Sequence, residues 1–144
     1  MKIKISRLNS QAKMPQRGSS GAAGYDLSAL ESVTIKPGQT ALIKTGLALE
    51  VPRGYFAMLC PRGSLALKLH LDMPHSVGII DSDYRGEWLV PLRNLSSTKT
   101  VKIPAGERIA QALFIKHAVV QFISAAKLSI TKRGAGKFGS TGQC

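Results

Sequence analysis

Three of the eight acidic residues in this 144-residue chain fall inside one short segment, Gly78-Ile79-Ile80-Asp81-Ser82-Asp83-Tyr84-Arg85-Gly86-Glu87. An apolar run that ends in a carboxylate and then turns through Arg85-Gly86 would hold Asp81 at the rim of a rigid sheet, where a general base belongs. Turns also recruit Asp simply to bond their own backbone, which is the ordinary use of such a residue. Upstream, Pro61-Arg62-Gly63-Ser64 sets a guanidinium beside a possible helix start, a place suited to an anion or to an ordinary turn. Near the end of the chain, Arg133-Gly134-Ala135-Gly136-Lys137-Phe138-Gly139-Ser140-Thr141-Gly142 offers glycines for close backbone approach, hydroxyls and cations. Those are phosphate-binding ingredients, and Phe138 among them could stack on a base. The segment leads into no helix, so it is not a Walker A loop, and a frayed terminus has the same composition.

The elements that must position these residues read as strands. Short stretches of β-branched and aromatic residues recur between turn signals such as Lys36-Pro37-Gly38-Gln39, Pro52-Arg53-Gly54 and Pro104-Ala105-Gly106. They predict strands over residues 2–8, 32–35, 40–44, 47–51, 55–59, 77–80, 88–95, 100–103, 109–117 and 122–130, with a single short helical turn over 64–69. So many brief strands favour an all-β sandwich, jelly roll or small barrel. From residue 131 the composition changes to glycines and cations, with Phe138 the only large apolar side chain. We therefore expect a β-barrel domain over residues 1–130 and a flexible glycine-rich C-terminal arm over 131–144, either frayed or acting as a flap.

A chain of this length suits one domain with a real core. No apolar run approaches the roughly 18 residues of a membrane span, and the opening Met1-Lys2-Ile3-Lys4-Ile5-Ser6 lacks the apolar block of a signal peptide. A soluble protein in the cytoplasm or another reducing compartment is expected, in keeping with only two cysteines, Cys60 and Cys144. Twenty basic residues against eight acidic ones give a net charge of +12. That balance draws polyanions, whether nucleotide, nucleic acid or an acidic partner, although solvated cations can also serve solubility alone.

In order and wording these segments resemble the five motifs of the dUTPase family over nearly the whole chain: Ala23-Gly24-Tyr25-Asp26-Leu27, Pro61-Arg62-Gly63-Ser64-Leu65-Ala66, Gly78 through Glu87, Gly106-Glu107-Arg108-Ile109-Ala110-Gln111, and Arg133 through Gly142. The resemblance implies a jelly-roll-like β-barrel assembled as a homotrimer whose active sites are shared between subunits. It implies hydrolysis of dUTP to dUMP and pyrophosphate, supplying dUMP for thymidylate synthesis, with Mg²⁺ as cofactor. Asp81 matches the family's catalytic carboxylate, and Tyr84 the residue that leaves no room for a 2′-hydroxyl. Val77, Gly78 and Ile80 fall in the hairpin that reads uracil, with His75 beside it. Arg62, Gly63 and Ser64 match the phosphate-binding second motif. Asp26 and Gln111 match residues that organise phosphate and magnesium through water, the metal's direct ligands coming mainly from substrate. In the arm, Arg133 would clamp the terminal phosphates, Phe138 would cover the base, and Gly139, Ser140 and Thr141 would reach the γ-phosphate.

The chain departs from the family pattern at Gly63, where Ser usually follows the motif-two Arg to bond the phosphate chain, and Ser64 substitutes only if the loop shifts. His75 stands where many bacterial relatives carry Asn, and Lys137 where Gly is frequent. Gly63 and the high charge motivate a second reading, a dUTPase-derived nucleotide-binding regulatory protein with weak or no turnover. A dCTP deaminase shares the fold but not Tyr84 or the glycine-rich ending, and a general nucleic-acid-binding module explains the charge but not the motifs.

Overall fold

The computed structural model of the chain describes residues 1–138, 140 and 142. Eleven strands and one helix follow in the order β1 Lys4–Arg7, β2 Tyr25–Ser28, β3 Val33–Ile35, β4 Thr40–Lys44, β5 Leu47–Glu50, β6 Tyr55–Pro61, α1 Gly63–Leu69, β7 Leu71–Asp72, β8 Gly78–Ile80, β9 Leu89–Asn94, β10 Val101–Ile103 and β11 Arg108–Lys116. Every strand pair is antiparallel. The strands form a four-stranded sheet β2-β11-β6-β8, a three-stranded sheet β4-β9-β7 and two ribbons, β1-β5 and β10-β3. Neighbours distant in sequence, such as β2 beside β11 and β3 beside β10, make this the all-β, jelly-roll-like barrel that the family resemblance implies, one of the architectures the strand spacing favours.

Alternation along each strand feeds one interior. Leu27 of β2, Ile43 of β4, Leu47 of β5, Val90 and Leu92 of β9 and Ile103 of β10 are fully buried around Trp88. Two buried polar side chains are fully occupied. Thr45 donates to the Trp88 carbonyl at 2.7 Å, and Asn94 donates to the carbonyls of Ile35 and Lys99 at 3.0 and 2.8 Å while accepting from Ser96 N–H at 3.0 Å. Asn94 thereby ties β9 to β3 and to the loop before β10. On the surface, the Arg93 guanidinium meets Asp72 at 2.9 Å across β9 and β7. The hydrogen bond and charge of Asp72 raise the Arg93 pKa above its ordinary value.

Nine of the ten expected strands are present with ends shifted by a few residues, and the expected helical turn is α1. Two short strands, β2 and β7, were not foreseen. The expected strand over 122–130 does not form. That segment pairs with no strand of its own chain, and Phe122, Ile123, Leu128 and Ile130 are almost wholly exposed. No helix among the described residues is long and apolar enough to cross a membrane.

Candidate functional site

The four-stranded sheet arranges the first cluster. Residues directly opposite across antiparallel strands share a face, and Gln111 of β11 stands opposite Asp26 of β2. Both side chains therefore project from the sheet's outer face, away from Ala112 and Leu27 in the core. Ahead of them the register slips between Arg108 and Ala110. This bulge lets both Ile109 and Ala110 bury, and it turns Arg108, which simple alternation would aim at the core with Ala110, out toward Asp26. Arg62, just past the end of β6, arrives from the other side. Asp26 thus holds two guanidiniums at once, Arg108 at 3.1 Å on one carboxylate oxygen and Arg62 at 3.6 Å on the other.

These residues line a cleft of about 330 Å³ together with Gly63 and Ser64 at the start of α1. Gly24 closes on it from β2's approach: a Cβ there would stand 2.6 Å from Gln111 Oε1, so a side chain at this position would displace that amide. Two guanidiniums, a hydroxyl and an N-terminal helical turn form a setting for a polyanion. Asp26 and Gln111 supply hard oxygen donors, yet no group of three metal-ligating side chains exists among the described residues. That donor set fits a magnesium ion held mainly by phosphate oxygens and water, and not a closed protein cage.

The second cluster sits on β8 and the turn that follows it. Asp81 follows Gly78–Ile80 directly, and its carbonyl accepts from Tyr84 N–H at 3.2 Å, closing the turn. Arg85 braces that turn by donating to the carbonyls of Ser82 and Tyr84 at 2.7 and 2.9 Å. Glu87 accepts from the Gly46 backbone N–H at 2.8 Å and so anchors the hairpin to the β4–β5 turn. Of the segment's three carboxylates Glu87 is therefore structural. Asp81 is exposed, and among the described residues no side chain engages it. Tyr84 is fixed at its hydroxyl end, which donates to the Glu87 carbonyl at 3.1 Å and lies close against Gly86. His75, Gly78, Ile80, Asp81, Tyr84 and Trp88 line one pocket of about 280 Å³. Asp81 also borders a more open pocket of about 740 Å³ with Arg53, Arg85 and His117.

The structure accordingly gathers Asp26, Arg62, Gly63, Ser64 and Gln111 into one place, and His75, Gly78, Ile80, Asp81 and Tyr84 into another. The two share no lining residue. Val77 borders neither, its N–H turning back to the His75 carbonyl at 2.6 Å. Arg133, Phe138 and Ser140 lie apart from both, exposed on the arm, where Arg133 donates to the Gly136 carbonyl at 3.2 Å. Gly139 and Thr141 fall outside the described residues. Arg108 also lines the cleft, a fourth-motif residue to which the sequence analysis assigned no role and which lay outside the strand expected over 109–117.

Comparison with known proteins adds three findings. A family model described as dUTPase matches residues 10–142. The chain is 46% identical over 143 residues to the deoxyuridine 5′-triphosphate nucleotidohydrolase of Nautilia profundicola, covering 99% of this chain and all of that one. It is 43% identical over 142 residues to the enzyme of that name from Helicobacter pylori, covering 99% and 97%. Among solved structures it resembles the Staphylococcus bacteriophage 80alpha dUTPase with dUpNHpp, at a TM-score of 0.90 and 27% identity over 99% of each chain.

Proposed function

The chain belongs to the dUTPase family, and from that footing we propose that it hydrolyses dUTP to dUMP and pyrophosphate with Asp81 as the base that activates water. The observation that carries the assignment of Asp81 is its setting. It is an exposed carboxylate with no side-chain partner among the described residues, on the braced turn after β8 and in the same pocket as a clamped Tyr84. In the reaction a water gives its proton to Asp81 and its oxygen bonds the α-phosphorus. The bond from that phosphorus to the bridging oxygen breaks, and pyrophosphate leaves. A positioned base contributes roughly 10²–10⁴-fold to such a step.

The remaining residues divide the substrate between them. His75, Gly78 and Ile80 border the uracil pocket, and Val77 precedes it. Tyr84, held against Gly86, packs under the deoxyribose and rejects a 2′-hydroxyl by collision. The triphosphate lies in the cleft of Arg62, Gly63, Ser64, Arg108 and Gln111. Asp26 and Gln111 would accept hydrogen bonds from the water shell of a Mg²⁺ ion held mainly by the substrate's phosphates, and such an ion would supply charge neutralisation there. The C-terminal arm, with Arg133, Phe138, Gly139, Ser140 and Thr141, closes over the nucleotide and excludes bulk water.

We propose that the chain acts as a homotrimer with shared sites, a reading supported by the base pocket and the phosphate cleft sharing no lining residue within one subunit. Between them, on the outer face of the four-stranded sheet, lie Met58, Leu113, Ile115 and the exposed Ile79. Beyond β11, Val119, Val120, Phe122, Ile123, Leu128 and Ile130 are exposed, far more apolar surface than a lone subunit leaves in water. Packing between copies covers both and brings a cleft from one subunit to a hairpin of another.

Mixing two variants tests the shared site. Asp81→Asn and Arg62→Ala trimers are each expected to be inactive, and unfolding and refolding them together should restore part of the native rate, because some mixed sites combine an intact hairpin with an intact cleft. Absence of any recovery, in mixed trimers shown to have formed, would contradict sites assembled across subunits.

A further inference from the structure

Among the described residues no lysine or arginine lines the base pocket, and His75 is its one basic side chain. A tight turn holds that side chain in place. Val77 N–H donates to the His75 carbonyl at 2.6 Å and Ser76 N–H to the Met73 carbonyl at 2.9 Å, with Ser76 at a φ of +62°. The turn sets the imidazole over the start of β8: a Cβ built on Gly78 would stand 3.3 Å from His75 Nε2 and 3.3 Å from Leu59 Cβ. The polar edge of the ring therefore lies at the pocket wall, where among the described residues no hydrogen bond engages it. We propose that the protonation state of His75 sets how sharply the pocket sorts uracil from cytosine. The inference rests on the reading of this pocket as the base site.

The two bases differ along one edge, where uracil presents a carbonyl oxygen and cytosine an amino group. A neutral imidazole has one N–H and one acceptor nitrogen, and its tautomers exchange them. Nε2 of the neutral ring thus donates to the uracil oxygen in one tautomer and accepts from the cytosine amino group in the other, with little preference. The imidazolium has a donor at each nitrogen and no acceptor. It bonds the uracil oxygen with charge assistance and leaves the cytosine amino group facing a donor. Preference for uracil therefore sharpens as the ring takes up a proton, and imidazole is the side chain whose charge ordinarily changes between about pH 5 and 8. The other titratable groups facing the pocket are Asp81, Tyr84 and Glu87, all between β8 and β9; β6 contributes Leu59 and β9 contributes Leu89 and Pro91, none of them charged. The Glu87 carboxylate is bonded to Gly46 N–H and the Tyr84 hydroxyl to the Glu87 carbonyl, which leaves Asp81 as the group to control for.

Titration calorimetry of the full chain with the non-cleavable analogues dUpNHpp and dCpNHpp in Mg²⁺, at about pH 5.5 and about pH 8, tests this. The triphosphate and the metal are common to both ligands and cancel in the ratio of their affinities. In the native chain, and equally in Asp81→Asn, the preference for dUpNHpp should be larger at the lower pH by roughly fivefold or more. His75→Asn, whose amide turns either end to the base without changing charge, should give one ratio at both pH values. A native ratio that does not change with pH overturns the sorting, as does a pH-dependent ratio in His75→Asn. A pH effect that disappears in Asp81→Asn assigns the titration to Asp81 and overturns it too. His75→Ala separates this from the reading beneath it. If that variant binds both analogues as the native chain does at both pH values, the base does not lie beside the ring, and the base-pocket reading falls together with the proposal; if it binds both more weakly while the native ratio ignores pH, only the sorting falls.

Discussion

Gly86 lies against the ring of Tyr84 so closely that a Cβ at that position would stand 2.6 Å from Tyr84 Cζ. The glycine and the Tyr84–Glu87 hydrogen bond together fix the wall proposed to exclude a 2′-hydroxyl. Gly86→Ala must displace the tyrosine while the hairpin stays anchored through Glu87 and Gly46. We expect the ratio of kcat/KM for dUTP over UTP to fall by roughly tenfold or more. Steady-state rates on the two nucleotides check this, and an unchanged ratio would remove Tyr84 from sugar selection.

Gly63 borders the phosphate cleft, and a Cβ built on it meets no atom within 4 Å. Nor is its backbone in the left-handed region. Serine therefore fits without strain, and Gly63→Ser adds a hydroxyl beside Arg62. If the cleft lacks one donor to the phosphate chain, kcat should rise, by up to roughly 10²-fold. A rate equal to the native one would mean that Ser64 already makes that contact.

Asn94 is wholly buried with three satisfied hydrogen bonds. Asn94→Ala strands the carbonyls of Ile35 and Lys99 and the Ser96 N–H. The expected loss is about 3 kcal/mol in unfolding free energy, measured by urea denaturation. A loss under about 1 kcal/mol would show that water replaces the amide.

The described residues of the arm are all exposed, Phe138 fully so. Deleting residues 131–144 should leave the melting temperature nearly unchanged while lowering kcat/KM roughly 10²-fold, because the nucleotide is no longer enclosed. A large fall in melting temperature would instead make the arm part of the folded body.

Much of this was legible in the residues. Alternation and turn chemistry located β4 over its full length, and the other foreseen strands to within a few residues, because one buried face imposes period two. The placement of Asp81 after an apolar strand was equally plain. Three things were not. The bulge that frees Arg108 breaks alternation, so a local pattern predicts the opposite face. Strand β2 hides in Tyr25-Asp26-Leu27-Ser28, where its polar residues serve the cleft and blur the signal. The stretch 122–130 has strand-like composition, yet no edge in its own chain receives it, and composition cannot say which chain will.

The most direct measurement is pyrophosphate release from dUTP, dCTP, dTTP and UTP with Mg²⁺, comparing the native chain with Asp81→Asn. The account predicts hydrolysis confined to dUTP, and a kcat at least roughly 10²-fold lower in the variant, with dUpNHpp binding largely retained. Native activity spread over all four nucleotides, or an Asp81→Asn variant with near-native turnover, would contradict it.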